Sequence, residues 1–251
     1  MRLSQAFRSL TVIAGIGLAS PTLADTYIVG VENIDYLPQY RWSDQGYSGF
    51  ARALFDAFAK ASGHTLVYQA FPVARLYAKF LDGEVDLKYP DNPNWATDGK
   101  AGRRVIYSDP VIAYVDGVNV RPERLGQGVD AVRTLGVMRG FTAWGWLDRI
   151  AAGAVTVQGN SSFPALLEQA LVGRVDGAYG NVAVVQHLLR SGLERPGTLV
   201  FDPGLPHVSS HYHLSTIKHP ALIAAFNDWM KRESATVAAL KAEHRVEVGI
   251  R

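Results

Sequence analysis

Residues His64–Tyr89, HTLVYQAFPVARLYAKFLDGEVDLKY, decide the fold. His64–Phe71 is rich in β-branched and aromatic residues and predicts a strand. Pro72 stands where a helix begins, and Val73, Leu76, Tyr77 and Phe80 recur at helical spacing to give one buried face. Gly83 supplies the left-handed residue that ends a helix, and Val85–Tyr89 reads as a second strand. The same grammar holds upstream. Thr26–Val31 predicts a strand, and a helix runs from Gly49-Phe50 to Ser62-Gly63, with Ala51, Leu54, Phe58 and Ala61 on one face. Strand, helix, strand, helix, strand implies a parallel sheet covered by helices.

The pattern restarts in the second half. Thr134–Met138 predicts a strand, Gly140-Phe-Thr142 leads into a helix through Ile150, and Val155–Gln158 predicts another strand. Ser162-Phe-Pro164 opens a helix through Val172, followed by Gly173 and a short strand. Gly83-Glu-Val-Asp86 is echoed by Gly173-Arg-Val-Asp176, each after a helix of similar length. Pro110–Arg121 and Val208–Ile217 lack a helical period and read as extended crossings between the halves. Pro220 opens a helix with Leu222, Ile223 and Phe226 on one face, and a last helix starts near Ser234. The fold class expected is therefore α/β, as two Rossmann-like lobes joined by a two-strand hinge. Residues 25–112 with 214–251 form the first lobe and residues 113–213 the second, with hinges near 111–117 and 209–214. A chain that leaves one lobe, builds another and returns has a cleft that can open and close.

The N-terminus carries a separate signal. Arg2 and Arg8 precede the apolar stretch Leu10–Ala19, then Ser20-Pro21 and the small-residue site Thr22-Leu23-Ala24. This predicts a signal peptide over residues 1–24, cleaved after Ala24, and export to the periplasm. The apolar stretch is shorter than the roughly 20 residues a membrane-spanning helix needs. The formal net charge of +2 counts Arg2 and Arg8, so the processed chain is nearly neutral and has no basic stripe for nucleic acid. With 48% hydrophobic and 19% charged residues the chain can bury a core. The absence of cysteine removes thiol catalysis and thiolate metal sites.

Candidate site residues follow from position, because ligands of open α/β sheets bind beyond the carboxyl ends of the strands. Tyr36, Tyr40 and Trp42 lie in the loop after the first strand, where rings can stack on a flat ligand. Arg75 stands in the first turn of a helix, where the dipole disfavours a cation and an anion would compensate. Asp91, Asn92 and Trp95 follow the third strand as a polar and aromatic mixture, with Asp91 placed to receive a cationic group. Arg139 and Thr142 flank the start of a helix, an anion-binding arrangement. Asn160-Ser161-Ser162 reads as a cap or a cleft wall, and Asn181 as a cap or a ligand contact. His211, near a crossing strand, is placed for ligand hydrogen bonds. His207, His211 and His213 lack a supporting acidic loop, so no metal is expected. No nucleophile elbow, phosphate loop or zinc-binding helix motif occurs, and no cofactor is called for.

The markers Tyr36-Leu-Pro38, Gly46-Tyr-Ser-Gly49-Phe50, Gly83-Glu-Val-Asp86, Tyr107-Ser-Asp-Pro110, Gly136-Val-Met-Arg-Gly140 and Gly173-Arg-Val-Asp176 occur in order along the processed chain. In this the sequence resembles the type 2 periplasmic solute-binding proteins, in particular the polar amino acid-binding branch, bacterial extracellular solute-binding protein family 3. The resemblance implies a monomer that catalyses no reaction. It would capture a small polar, carboxylate-bearing solute between its lobes and present it to an ABC-type permease, a membrane sensor or a dehydrogenase system. The sequence departs from that branch in two places. The usual Thr-x-x-Arg is replaced by Asp98-Gly-Lys-Ala-Gly-Arg103-Arg104, and the usual ammonium-binding aspartate by Asn181. The alternatives left open are a dehydratase-like enzyme on the same fold, with Asp91 as general acid, and a periplasmic accessory or sensor protein.

Overall fold

The computed structural model of the chain describes residues 25–249, so the expected signal peptide lies outside the described residues. The deciding stretch forms a parallel unit. β1 (Thr26–Glu32) leads through a small meander of β2 (Asp35–Tyr36), β3 (Tyr40–Ser43) and β4 (Gly46–Ser48) into α1 (Phe50–Ser62). β5 (Thr65–Phe71), α2 (Val73–Leu81) and β6 (Leu87–Asp91) follow. β1 lies between β5 and β6 and pairs parallel with both, Thr26 opposite Thr65 on one side and Val29 opposite Leu87 on the other. A short α3 (Thr97–Lys100) and β7 (Ile106–Tyr107) complete this half, with α7 (Pro220–Arg232) and α8 (Ser234–His244) returning to it from the C-terminus.

The second half repeats the scheme. β8 (Ile112–Val120) crosses over; β9 (Thr134–Met138), α4 (Leu147–Ala151), β10 (Thr156–Asn160), α5 (Phe163–Leu171), β11 (Gly177–Asn181) and α6 (Val182–His187) follow, then β12 (Val200–Phe201) and the return strand β13 (Val208–Thr216). β9 pairs parallel with β10 and β11. The sequence echo has a structural counterpart. Asp86 Oδ2 accepts the Ile28 N–H of β1 at 2.7 Å, and Asp176 Oδ2 accepts the Arg133 and Thr134 N–H groups at the start of β9, each at 2.8 Å. Gly83 and Gly173 share a φ of +76°, a conformation a Cβ resists. In the middle strand of each half a glycine lets the helix press close. A Cβ at Gly30 would stand 2.6 Å from Leu76 Cδ1, and one at Gly136 would stand 2.4 Å from Leu166 Cδ1.

The halves are joined through two long strands. β8 and β13 pair antiparallel from Val208 opposite Asp116 to Tyr212 opposite Ile112. Beyond Tyr212, β13 changes partner and pairs with β6, while the far end of β8 pairs with β11. The sheet therefore runs β10-β9-β11-β8-β13-β6-β1-β5 without a break. The main core crosses the same seam: Tyr36, Tyr40, Phe50 and Phe55 of the first half and Phe163, Leu166 and Val184 of the second belong to one buried cluster.

One expected element differs. The helix predicted from Thr142 to Ile150 is instead irregular to Ala143, a 3₁₀ turn over Trp144–Trp146, and then the five-residue α4. Tertiary anchoring overrides helical spacing here: Trp146 is fully buried and its Nε1–H donates to Pro206 O at 3.0 Å. The helical chain thus begins at Trp144, as a 3₁₀ turn, rather than at Thr142.

Candidate functional site

A cavity of about 390 Å³ lies where the two halves meet. Its first-half wall is built by Glu32 at the carboxyl end of β1, Tyr36 and Tyr40 of the meander, Val73, Ala74 and Tyr77 of α2, and Pro90, Trp95 and Ala96 at and beyond the end of β6. The second half supplies Gly140, Phe141, Thr142 and Trp144 from the irregular segment and Tyr179 from β11. The two crossing strands supply the rest, Asp116 from β8 and Tyr212 from β13. Eight of these side chains are aromatic, and the two that can carry charge at neutral pH are both carboxylic acids.

The rings are packed against one another. Tyr36 meets Phe141 and Phe163 across the seam at centroid separations of 5.7 and 5.2 Å. Tyr212 stacks on Tyr114 at 4.3 Å and contacts Trp95 edge-on at 5.7 Å. Such edge and offset arrangements suit the quadrupole of the rings and hold them in place without a ligand.

The two acids have different surroundings. Glu32 accepts the Tyr40 hydroxyl proton at 2.5 Å. Burial pushes its carboxyl above the usual range, and Lys88 and the Tyr40 bond offset only part of this. Asp116 has no such support: its Oδ1 is buried without a hydrogen-bond partner among the described residues. Burial first, and then the charge of Glu32, push its pKa up to about 7. Its charge is felt by Tyr36, Tyr114, Tyr179 and Tyr212, whose phenols are all pushed up chiefly by burial.

Of the residues singled out in the sequence, Tyr36, Tyr40, Trp95 and Thr142 stand in the cavity wall. Asp91 does not. It is fully buried, with Lys100 Nζ at 2.8 Å, Lys88 Nζ at 3.6 Å and the Ser215 hydroxyl donating to Oδ2 at 2.7 Å. Burial pushes its carboxyl up, but the two lysines outweigh this and hold it below the usual range. Strand alternation is the reason: in β6 Pro90 faces the cavity, so its neighbour Asp91 faces away. Asn92 is buried and ties β13 in place, donating to Ser210 Oγ and His211 O. Asn181 caps α6 by accepting the Val184 N–H at 3.2 Å and donates to the Tyr212 hydroxyl at 3.1 Å, one step behind the wall. Arg75, Arg139 and His211 are exposed and outside the lining. Of the other residues weighed, Trp42 and the 160–162 segment also stand outside it, and Ser162 caps α5. His207 and His213 turn their Nδ1 atoms to the carbonyls of Leu205 and Ser108. Among the described residues no three metal-ligating side chains of histidine, aspartate or glutamate converge.

Glu32, Tyr77, Asp116, Phe141, Trp144, Tyr179 and Tyr212 were not among the expected site residues. Glu32 was within reach of the strand-end rule, since it closes β1. Tyr212 was within reach of alternation: His211 and Tyr212 are neighbours on β13, so only one can face the cavity. Asp116 carried no local signal, because its position depends on where two distant strands cross.

No protein-family model matches the chain, and no curated protein matches it in sequence. Solved structures do match in shape. An ancestral arginine-binding protein bound to arginine has a TM-score of 0.66 at 20% identity, covering 87% of this chain and 97% of that one. An ABC uptake transporter substrate-binding protein from Streptococcus pneumoniae with bound histidine has a TM-score of 0.69 at 16% identity, covering 87% and 92%. An ancestral amino acid-binding protein, a precursor of cyclohexadienyl dehydratase, has a TM-score of 0.69 at 17% identity, covering 87% and 94%. At these identities the likeness is one of fold, and the chain has the fold of the type 2 periplasmic binding proteins.

Proposed function

We propose that the chain is a solute-binding protein that takes a small organic molecule into this cavity and closes on it. The observation that carries the reading is the composition of the wall: both halves and both crossing strands contribute to one aromatic cavity. Residues 25–112 with 214–251 and residues 113–213 are the two moving lobes, and β8 and β13 bend between them. Binding energy drawn from contacts to both lobes shifts the population toward the closed form, which is what a membrane partner distinguishes. An ABC-type permease is the partner favoured by the similarity to transporter binding proteins, with a membrane sensor as the other candidate. Among the described residues no helix is long and apolar enough to cross a membrane.

Binding without turnover agrees with the neighbours described as bound to arginine and to histidine. A second reading, an enzyme, is favoured by Glu32 and Asp116, two cavity acids with raised pKa values of the kind general acids need. The test combines a thermal-shift screen with small-angle scattering and mass spectrometry of the ligand. The binding reading expects a hit at saturating concentration to raise Tm, shrink the radius of gyration of a monomer and be recovered unchanged. A hit recovered as a different compound establishes the enzyme. A library spanning amines, acids, amino acids and sugars with no hit in any class overturns both readings.

A further inference from the structure

We infer that the cavity takes a small protonated amine, an organic cation with an apolar body and no carboxylate of its own. This deepens the binding-protein reading and rests on it. Among the described residues in the cavity wall the charge-bearing side chains are Glu32 and Asp116, and no arginine, lysine or histidine is present. Glu32 is already served, by the Tyr40 hydroxyl at 2.5 Å and by the nearby charge of Lys88. Asp116 is not: it lines the cavity, its Oδ1 is buried with no donor among the described residues, and an ammonium bound beside the carboxylate would supply the countercharge that the wall lacks. The walls around it are aromatic faces and edges, including Tyr36, Trp95, Phe141, Tyr179 and Tyr212, which attract a desolvated cation through their quadrupoles and pack against its apolar part. A carboxylate in the wall accepts an N–H, which favours a protonated amine over a quaternary ammonium.

A carboxylate-bearing ligand, the expectation drawn from the sequence, meets the opposite field. It would bring a negative charge into a space already holding two acids, with no cation in the wall to receive it. Arg75 and Arg139 are exposed and stand outside the wall.

The test is calorimetric titration of the full chain at pH 8 with butylamine and phenethylamine, beside butyrate, phenylacetate, L-phenylalanine and tetramethylammonium. The amines are expected to bind, the matched acids to be weaker by about a hundredfold or more, and tetramethylammonium to be weaker than butylamine. Asp116→Asn, which keeps the shape and breaks no hydrogen bond of Oδ1, is expected to lower amine affinity about tenfold or more with an unchanged circular dichroism spectrum. Asp116→Ser serves as the second variant if the first is poorly folded. Tighter binding of an acid or of L-phenylalanine than of its amine, with Arg139→Ala rather than Asp116→Asn abolishing it, overturns the inference and leaves the binding reading standing. Amine binding indifferent to both Asp116 variants overturns it as well. Silence from all six probes overturns the amine inference. The wider library then decides the binding reading separately.

Discussion

A carboxylate held at about 7 by burial and by a second acid leaves a mark on stability as well as on binding. The folded pKa of Asp116 stands above the unfolded value of about 3.9, so the folded state holds more protons than the unfolded one between roughly pH 4 and 7. Stability from this group is full below that window and is lost as pH rises through it. The groups facing Asp116 are Glu32, Tyr36, Tyr114, Tyr179 and Tyr212, and of these only Glu32 is a carboxylic acid, itself pushed up by burial. Urea denaturation at pH 5 and pH 8 should therefore show Asp116→Asn gaining on the wild type at the higher pH. An equal gap at both values would mean that Asp116 ionises freely. Asp91 behaves in the opposite way. Its charge is matched by Lys88 and Lys100, and removing it strands Lys88 in a fully buried position. Asp91→Asn is expected to cost about 3–5 kcal/mol of folding stability, measured by denaturant titration, whatever it does to ligand affinity. A loss below about 1 kcal/mol would show that Lys88 finds other partners, such as the Pro90 carbonyl and the Tyr77 ring that it already meets.

At the scale of the element, alternation and capping settle which neighbour faces the cavity. α2 presents Val73, Ala74 and Tyr77 to it and Leu76 and Phe80 to the core, which leaves Arg75 in solvent. β11 ends in Asn181, whose amide joins the first turn of α6 to the Tyr212 hydroxyl on β13. Asn181→Ala removes both bonds and is expected to cost about 1–2 kcal/mol of stability. It should also weaken ligand binding only as far as Tyr212 shifts, which thermal unfolding and titration of the same variant would separate. The helix predicted after Gly140 starts late, at Trp144, and as a 3₁₀ turn, for a related reason. Helical spacing in Phe141–Ile150 is real, but the burial of Trp146 and its bond to Pro206 fix the chain in a 3₁₀ turn first.

At the scale of the whole molecule the two halves are alike in plan and joined by strands that change partners midway. β13 pairs with β8 up to Tyr212 and with β6 from His213, so the residue that stacks in the cavity sits at the point where the strand passes from one half to the other. Asp116 occupies the matching place on β8, opposite Val208 on one side and Asn181 on the other. A ligand held between these two positions reports directly on the angle between the halves. A bound ligand at a hundredfold excess over its Kd should stabilise the folded state by about 2.7 kcal/mol, which a thermal shift detects.

The sequence by itself determined the two parallel units, because hydrophobic period, helix-ending glycines and the paired Gly-x-Val-Asp turns are local signals that act within one strand and its helix. It also placed Tyr36, Tyr40 and Trp95 near strand ends, where the sheet's geometry directs a ligand. The tertiary structure decided which charges face inward. Asp91 and Asp116 are both acidic residues on strands. One lies between two lysines brought from positions 88 and 100, and the other lies beside Glu32 with an oxygen left unpaired. The charge of a cavity depends on which distant side chains share it, and no spacing along the chain encodes that.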